Sequence, residues 1–139
     1  MSDRANAVLS KWGMLPIRIA AGVIFVMHGW QKVSVFGIPG TSEMLRFLGI
    51  PLPTFFAVIV MTTELLGGLS IMVGLFSRFW SIGLAIDMTV AILVARRHAF
   101  FTPIGFEFEL VLLGGVLTIA ALGAGEMSVD RMFGRKGAA

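Results

Sequence analysis

The sequence predicts an all-α integral membrane protein: a four-helix bundle in which residues 1–139 form a single transmembrane domain. Three observations carry that expectation. Four apolar runs, at residues 15–33, 52–75, 79–95 and 106–124, each approach the roughly 20 residues a helix needs to cross a bilayer. The chain is 57% hydrophobic and only 14% charged, with a mean hydropathy of +0.92, which leaves too little polar surface for a soluble domain of helices with one wet face. Basic and aromatic residues gather at the ends of the runs, where membrane helices carry their anchors.

That placement also disposes of a nucleic-acid reading. The net charge is +3, but the Lys and Arg residues sit at helix ends and form no patch interleaved with aromatics. Cysteine is absent, so disulfides, thiolate metal sites and dithiol relays are excluded. The first run is expected to be a retained span and not a cleaved signal, since Arg18 lies inside it and no small-residue cleavage site follows Lys32. Ser2 in place of glycine and the lack of cysteine leave no lipidation motif.

Taken in order, residues 1–13 form a polar lead containing Asp3, Arg4 and Lys11 and ending at Trp12, an interfacial anchor. Pro16 fits the first helical turn of span one, where its missing N–H costs nothing. The following loop, 34–51, is broken by Gly37, Pro39, Gly40 and Gly49 around a short amphipathic stretch at 42–48, which Thr41 or Ser42 would cap. This stretch is expected to lie on the membrane or fold over the bundle. Pro51 and Pro53 open span two. Only Phe76, Ser77 and Arg78 separate spans two and three, which makes them an antiparallel hairpin. Arg96, Arg97, His98 and Pro103 with Phe100 and Phe101 mark the next edge, and the tail after Gly125 carries Arg131, Arg135 and Lys136 before small residues expected to be disordered. The basic residues on the terminal side outnumber those on the other, which places both termini in the cytoplasm. No internal repeat is evident.

Function should reside in the ionisable residues inside the runs, because a lone charge in hydrocarbon is costly. Each residue of a helix turns about 100°, so Arg18, His28 and Lys32 share one face of span one, together with Gly22 and Gly29. Small residues on that stripe let a second backbone approach closely. Glu64, near the centre of span two and followed by Gly67 and Gly68, is the expected partner of Arg18. It is either part of a ligand or proton site or one half of a structural pair. Asp87 in span three, flanked by Gly83 and Ala91, is a second buried acid, with Thr62, Thr63 or Thr89 as candidate partners. Glu107 and Glu109 point about 200° apart, and the smaller face beneath Glu107 (Val111, Gly114, Gly115, Thr118) is expected to turn inward. Glu107, His28, Lys32 and the 96–98 cluster would then form a polar mouth at the outer edge.

A bis-histidine haem does not suit His28 and His98, which fall at different depths. No Glu-x-x-His spacing supports a carboxylate–histidine metal site, so no metal ligands are assigned. The nine methionines and twelve phenylalanines suit packing.

At the level of motifs the chain resembles the DoxX family of small four-span bacterial membrane proteins. The resemblance rests on R-x-x-x-G-x-I-F-x-x-H-G-x-x-K from Arg18 to Lys32, E-L-L-G-G-L-S-I-M-V-G-L-F-S-R from Glu64 to Arg78, G-F-E at Gly105 to Glu107, and G-A-G-E-M-S-V-D from Gly123 to Asp130. It implies a bacterial inner-membrane four-helix bundle with family positions at Arg18, Glu64 and Glu107. One departure is Gly123, Ala124, Gly125, where the family pattern has Gly-Pro-Gly. The resemblance further implies a small subunit or accessory of a quinone-linked oxidoreductase system, such as thiosulfate oxidation, or a role in oxidative or quinone stress. Wider relatives include cargo receptors and receptor chaperones.

The resulting expectation is a bundle that binds a quinone-like molecule between its helices, with no covalently bound cofactor. Arg18, His28, Lys32, Glu64, Asp87 and Glu107 are the candidate ligand-binding residues, Arg18 or His28 bonding a carbonyl and Glu64 handling a proton. No catalytic residue is assigned. The expected partners are membrane lipid, a soluble or membrane redox protein and a second copy of the chain, with no nucleic acid. The alternatives are a non-enzymatic scaffold or chaperone-like adaptor, or a small-molecule transporter.

Overall fold

The computed structural model describes Val8 and residues 11–96, 98–101 and 105–136. Arg97, Pro103, most of the polar lead and the last three residues therefore lie outside the described residues. The first long helix is α1, Leu15–Gln31, with Pro16 in its opening turn as expected. It continues through a π-helical turn, Lys32–Phe36, into α2, Gly37–Phe47. Two antiparallel spans follow: α3, Pro53–Val73, and α4, Ser77–Val90, which runs on through a second π-helical turn, Ala91–Arg96. α5 covers Glu107–Leu122 and a short terminal helix, α6, covers Val129–Lys136. No strand occurs among the described residues.

Glycine sets the central crossing. A Cβ on Gly29 would lie 2.5 Å from the Leu65 backbone nitrogen, one on Gly68 would lie 2.8 Å from the Val26 nitrogen, and one on Gly22 would collide with Met72. Only a hydrogen in place of a side chain allows α1 and α3 to touch backbone to backbone, the close approach typical of helices packed in lipid. Phe25, Ile71, Leu84, Val116 and Ile119 fill the core beside that crossing. Outward, α1 presents Val23 and Met27, α3 Leu66 and Leu69, α4 Ile82 and Ile86, and α5 Val111 and Leu117, all exposed. With no aqueous reason to show such surface, these faces belong against acyl chains.

Three boundaries differ from the sequence expectation. The first loop is almost wholly helical: α2 begins at Gly37, whose φ of 61° re-aims the chain, and Thr41 and Ser42 are buried within α2 instead of capping it. α2 packs against α3, with Ser42 and Thr54 hydroxyls 2.9 Å apart, so the segment does fold over the bundle. The hairpin turn is Gly74–Phe76, and Ser77 already belongs to α4. Three helical stretches, Leu15–Phe47, Pro53–Val73 and Ser77–Arg96, are long and apolar enough to cross a membrane. The fourth, α5, has 16 residues and covers about 24 Å against a hydrocarbon core of about 30 Å. The four-span count thus holds approximately.

Candidate functional site

Two separate groups of buried charge occupy different depths of the bundle. At the terminal end, Arg18 is 1% exposed and donates to four backbone carbonyls: Nε to Ile71 at 2.8 Å, Nη2 to Met72 at 2.8 Å, and Nη1 to Ala124 and Met127, both at 2.7 Å. Ile71 and Met72 lie in the last turn of α3, where carbonyls have no intrahelical donor. Arg18 thus caps α3 from the side and ties the Gly123–Asp130 segment to it. Asp130 completes the junction. Its carboxylate accepts from the Phe76 and Ser77 backbone N–H groups at 2.7 and 3.1 Å, and its own N–H donates to Gly74 at 2.8 Å. It therefore caps α4 and holds Phe76 in its left-handed conformation, φ 48°. Residues that begin α1 and follow α5 meet here, so both ends of the bundle's chain path lie on the same side.

The expected Arg18–Glu64 pair does not form. Arg18 meets α3 at residues 71–72, seven or eight positions beyond Glu64, a separation of roughly 11 Å along the helix. Glu64 is instead bonded to Lys32, Nζ to Oε2 at 2.6 Å, with side chains 14% and 5% exposed. Glu64 lies eleven residues after Pro53 and nine before Val73, at the middle of α3. Lys32, bonded to Glu64, therefore reaches mid-depth and not the outer edge. Asp87 lies beside Glu64, and Thr63 lines the same cavity. Thr89 donates to the Ala85 carbonyl at 2.7 Å.

Beside this triad lies a cavity of about 600 Å³. Phe25, Phe36, Leu45, Ile59 and Met88 give it an apolar wall, and Lys32, Glu64, Asp87, His28, Arg96 and Glu109 supply polar groups. Both π-helical turns border it, one bringing Lys32 and the other Arg96. Such turns shift side-chain phase within a helix and recur at functional sites. His28 is exposed and its ring lies 6.0 Å from that of Phe108.

On α5 the inward face is rotated from the one expected. Leu112, Gly115, Val116 and Ile119 are buried, whereas Val111, Gly114 and Thr118 are exposed. Glu109, one turn before Leu112, therefore faces the cavity and pairs with Arg96 at 3.5 Å. Glu107 does not line it. Of the six candidate residues, the structure brings His28, Lys32, Glu64 and Asp87 to one cavity and leaves Arg18 and Glu107 away from it. Arg96 and Glu109 are the additions. The signal for Glu109 was its phase with Leu112, Val116 and Ile119, outweighed by the assumption that the glycine face packs inward. Nothing in the sequence marks the π-helical turn that orients Arg96. Among the described residues, no three His, Asp or Glu side chains cluster closely enough to hold a metal ion.

A helical membrane protein with a polar triad at mid-depth beside an apolar cavity is the class that fold and site define. The DoxX family profile matches residues 13–97, and the chain belongs to that family. It is 30% identical over 118 residues, 85% of this chain and 84% of the relative, to a Bacillus subtilis protein named "Putative oxidoreductase CatD". It is 30% identical over 126 residues, 89% and 94% of the two chains, to the Escherichia coli inner membrane protein YqjF. An uncharacterized membrane protein of Mycobacterium tuberculosis, Rv3486, is 29% identical over 136 residues, 88% and 82% of the two chains. No solved structure matches the chain.

Proposed function

We propose that this protein is a small inner-membrane component of an oxidoreductase system that holds a quinone-like molecule in the cavity between α1, α3, α4 and α5, with both termini in the cytoplasm. The observation that carries this reading is the Lys32–Glu64–Asp87 triad at mid-bilayer, set in the wall of a cavity of about 600 Å³. That volume lies in the range of small-molecule sites, which are mostly apolar with a few placed polar groups. A structural ion pair needs no adjoining cavity. Quinone reduction consumes two protons with two electrons, so a site for it needs a proton donor at the ring. Glu64, bonded to Lys32 in the wall of the cavity, is the group that suits that task. His28 and Lys32 are then the groups that orient the ring oxygens, and electrons pass to or from a partner redox protein. The name of the Bacillus relative supports an oxidoreductase setting.

The test is extraction of quinone from protein purified out of native membranes, followed by titration of added quinone. Wild type is expected to retain or bind it, and Glu64→Gln to bind at least about tenfold more weakly, the effect of losing about 1.4 kcal/mol, while remaining folded by circular dichroism. Wild type that neither retains nor binds quinone would sink the reading. In that case the scaffold or adaptor role gains, because the Arg18 junction shows that one set of buried charges in this bundle is structural.

A further inference from the structure

Within the cavity each cation is paired with an acid, yet two carboxyl oxygens are left unmet. Lys32 is bonded to Glu64 and Arg96 is paired with Glu109. Asp87 Oδ2 and Glu109 Oε2 are both buried and neither accepts a hydrogen bond from any described group. They come from two different helices, α4 and α5, and both residues line the same cavity. Three carboxyl groups, Glu64, Asp87 and Glu109, line the cavity, and on two of them one acceptor oxygen has no donor. Leaving a buried polar atom unmet is costly, and a ligand that supplies a donor recovers that cost.

This requirement separates the two redox states of a quinone. The oxidised ring offers only carbonyl acceptors and would set oxygen against oxygen at Asp87 and Glu109. The reduced ring offers two hydroxyl donors. We propose that the cavity binds the reduced, dihydroxy aromatic form in preference to the quinone, its hydroxyls donating to the carboxyl groups of Asp87 and Glu109. The terminal torsions of aspartate and glutamate are soft, so either carboxyl can turn its unmet oxygen toward the ring. The inference rests on the proposed quinone-type site and adds which redox state it selects.

The experiment uses full-length protein in phosphatidylcholine nanodiscs, titrated calorimetrically with decylubiquinone and, under argon with reductant, with decylubiquinol. The quinol is expected to bind at least about tenfold more tightly, a difference of about 1.4 kcal/mol, since only its hydroxyls can donate to a charged acceptor. Asp87→Asn adds an amide donor and removes charge. It should weaken the quinol at least about fivefold and leave the quinone unchanged or tighter, and Glu109→Gln should act in the same direction. Equal or tighter binding of the quinone to wild type overturns the preference while leaving a quinone site in place. A variant that weakens both forms equally also overturns it, because loss of packing does not discriminate redox state. Binding of neither form overturns this inference together with the functional reading beneath it.

Discussion

Replacing Arg18 with methionine should destabilise the bundle without altering ligand affinity, and the magnitude follows from its four carbonyl bonds of 2.7 to 2.8 Å. Interhelical hydrogen bonds in membranes contribute about 0.6 kcal/mol on average and up to about 1.7. Four of them place the loss between about 2 and 7 kcal/mol, and partial rehydration of the freed carbonyls at the membrane edge favours the lower half, near 3 kcal/mol. Arg18→Lys should recover only part of that loss, because an ammonium is a point donor and cannot reproduce the planar fork that reaches carbonyls of α3 and of the stretch after α5 at once. Unfolding in mixed micelles, followed by tryptophan fluorescence, measures the change. Asp130→Ala removes the other half of the same junction and should cost about 1 kcal/mol as a lost cap. Because both substitutions release one segment, their effects should fall short of additive in the double variant. A loss below about 1 kcal/mol for Arg18→Met, or a drop in quinone affinity with stability intact, would refute the assignment of Arg18 to structure.

Glycine supplies a paired control. Gly29→Val must push apart α1 and α3 at the Leu65 backbone and should lower stability by about 1 to 3 kcal/mol as an overpacked contact, whereas Gly114→Ala, which meets nothing within 4 Å, should leave the unfolding midpoint unchanged or higher. For the mid-membrane pair, Lys32→Met alone strands the acids and should cost about 3 to 5 kcal/mol, the penalty for breaking a buried pair. The double variant Lys32→Met with Glu64→Gln should regain most of that stability while still failing to bind quinone, and a double variant as unstable as the single one would argue against the pair.

Much of the architecture was legible because bilayer thickness imposes run length, and because glycine and charge fall at helical phase. The stripe of Gly22 and Gly29 and the hairpin follow from such local rules, whereas for the 42–48 stretch those rules leave open whether it lies on the membrane or folds over the bundle. Depth was not legible. Phase says which face of α1 carries Arg18 and Lys32, but pairing across two helices depends on antiparallel register, which Gly22, Gly29 and Gly68 set through contacts a linear sequence does not display. Lys32, bonded to Glu64, likewise reaches the middle and not the edge. On α5, residue size does not mark the packed face: Gly114 and Thr118 point outward while Leu112, Gly115, Val116 and Ile119 are buried.

The two groups of buried charge can be told apart by how fully their hydrogen-bonding capacity is used. Arg18 has its charge spread over four carbonyls that would otherwise be orphaned, adjoins no part of the 600 Å³ cavity and meets the carbonyl ends of structure that must be closed in any case. A ligand placed there would have to displace bonds the fold requires. At mid-depth the accounting is reversed: one oxygen each on Asp87 and Glu109 goes unmet, open volume lies beside them, and two helices depart from α-helical phase to bring Lys32 and Arg96 to the same wall. Apolar side chains would close that space at less cost, since desolvating an ion pair commonly offsets its attraction. A bundle already fastened at its terminal end by Arg18 and Asp130 does not need the second group for its fold, which is why ligand chemistry is best sought around Asp87.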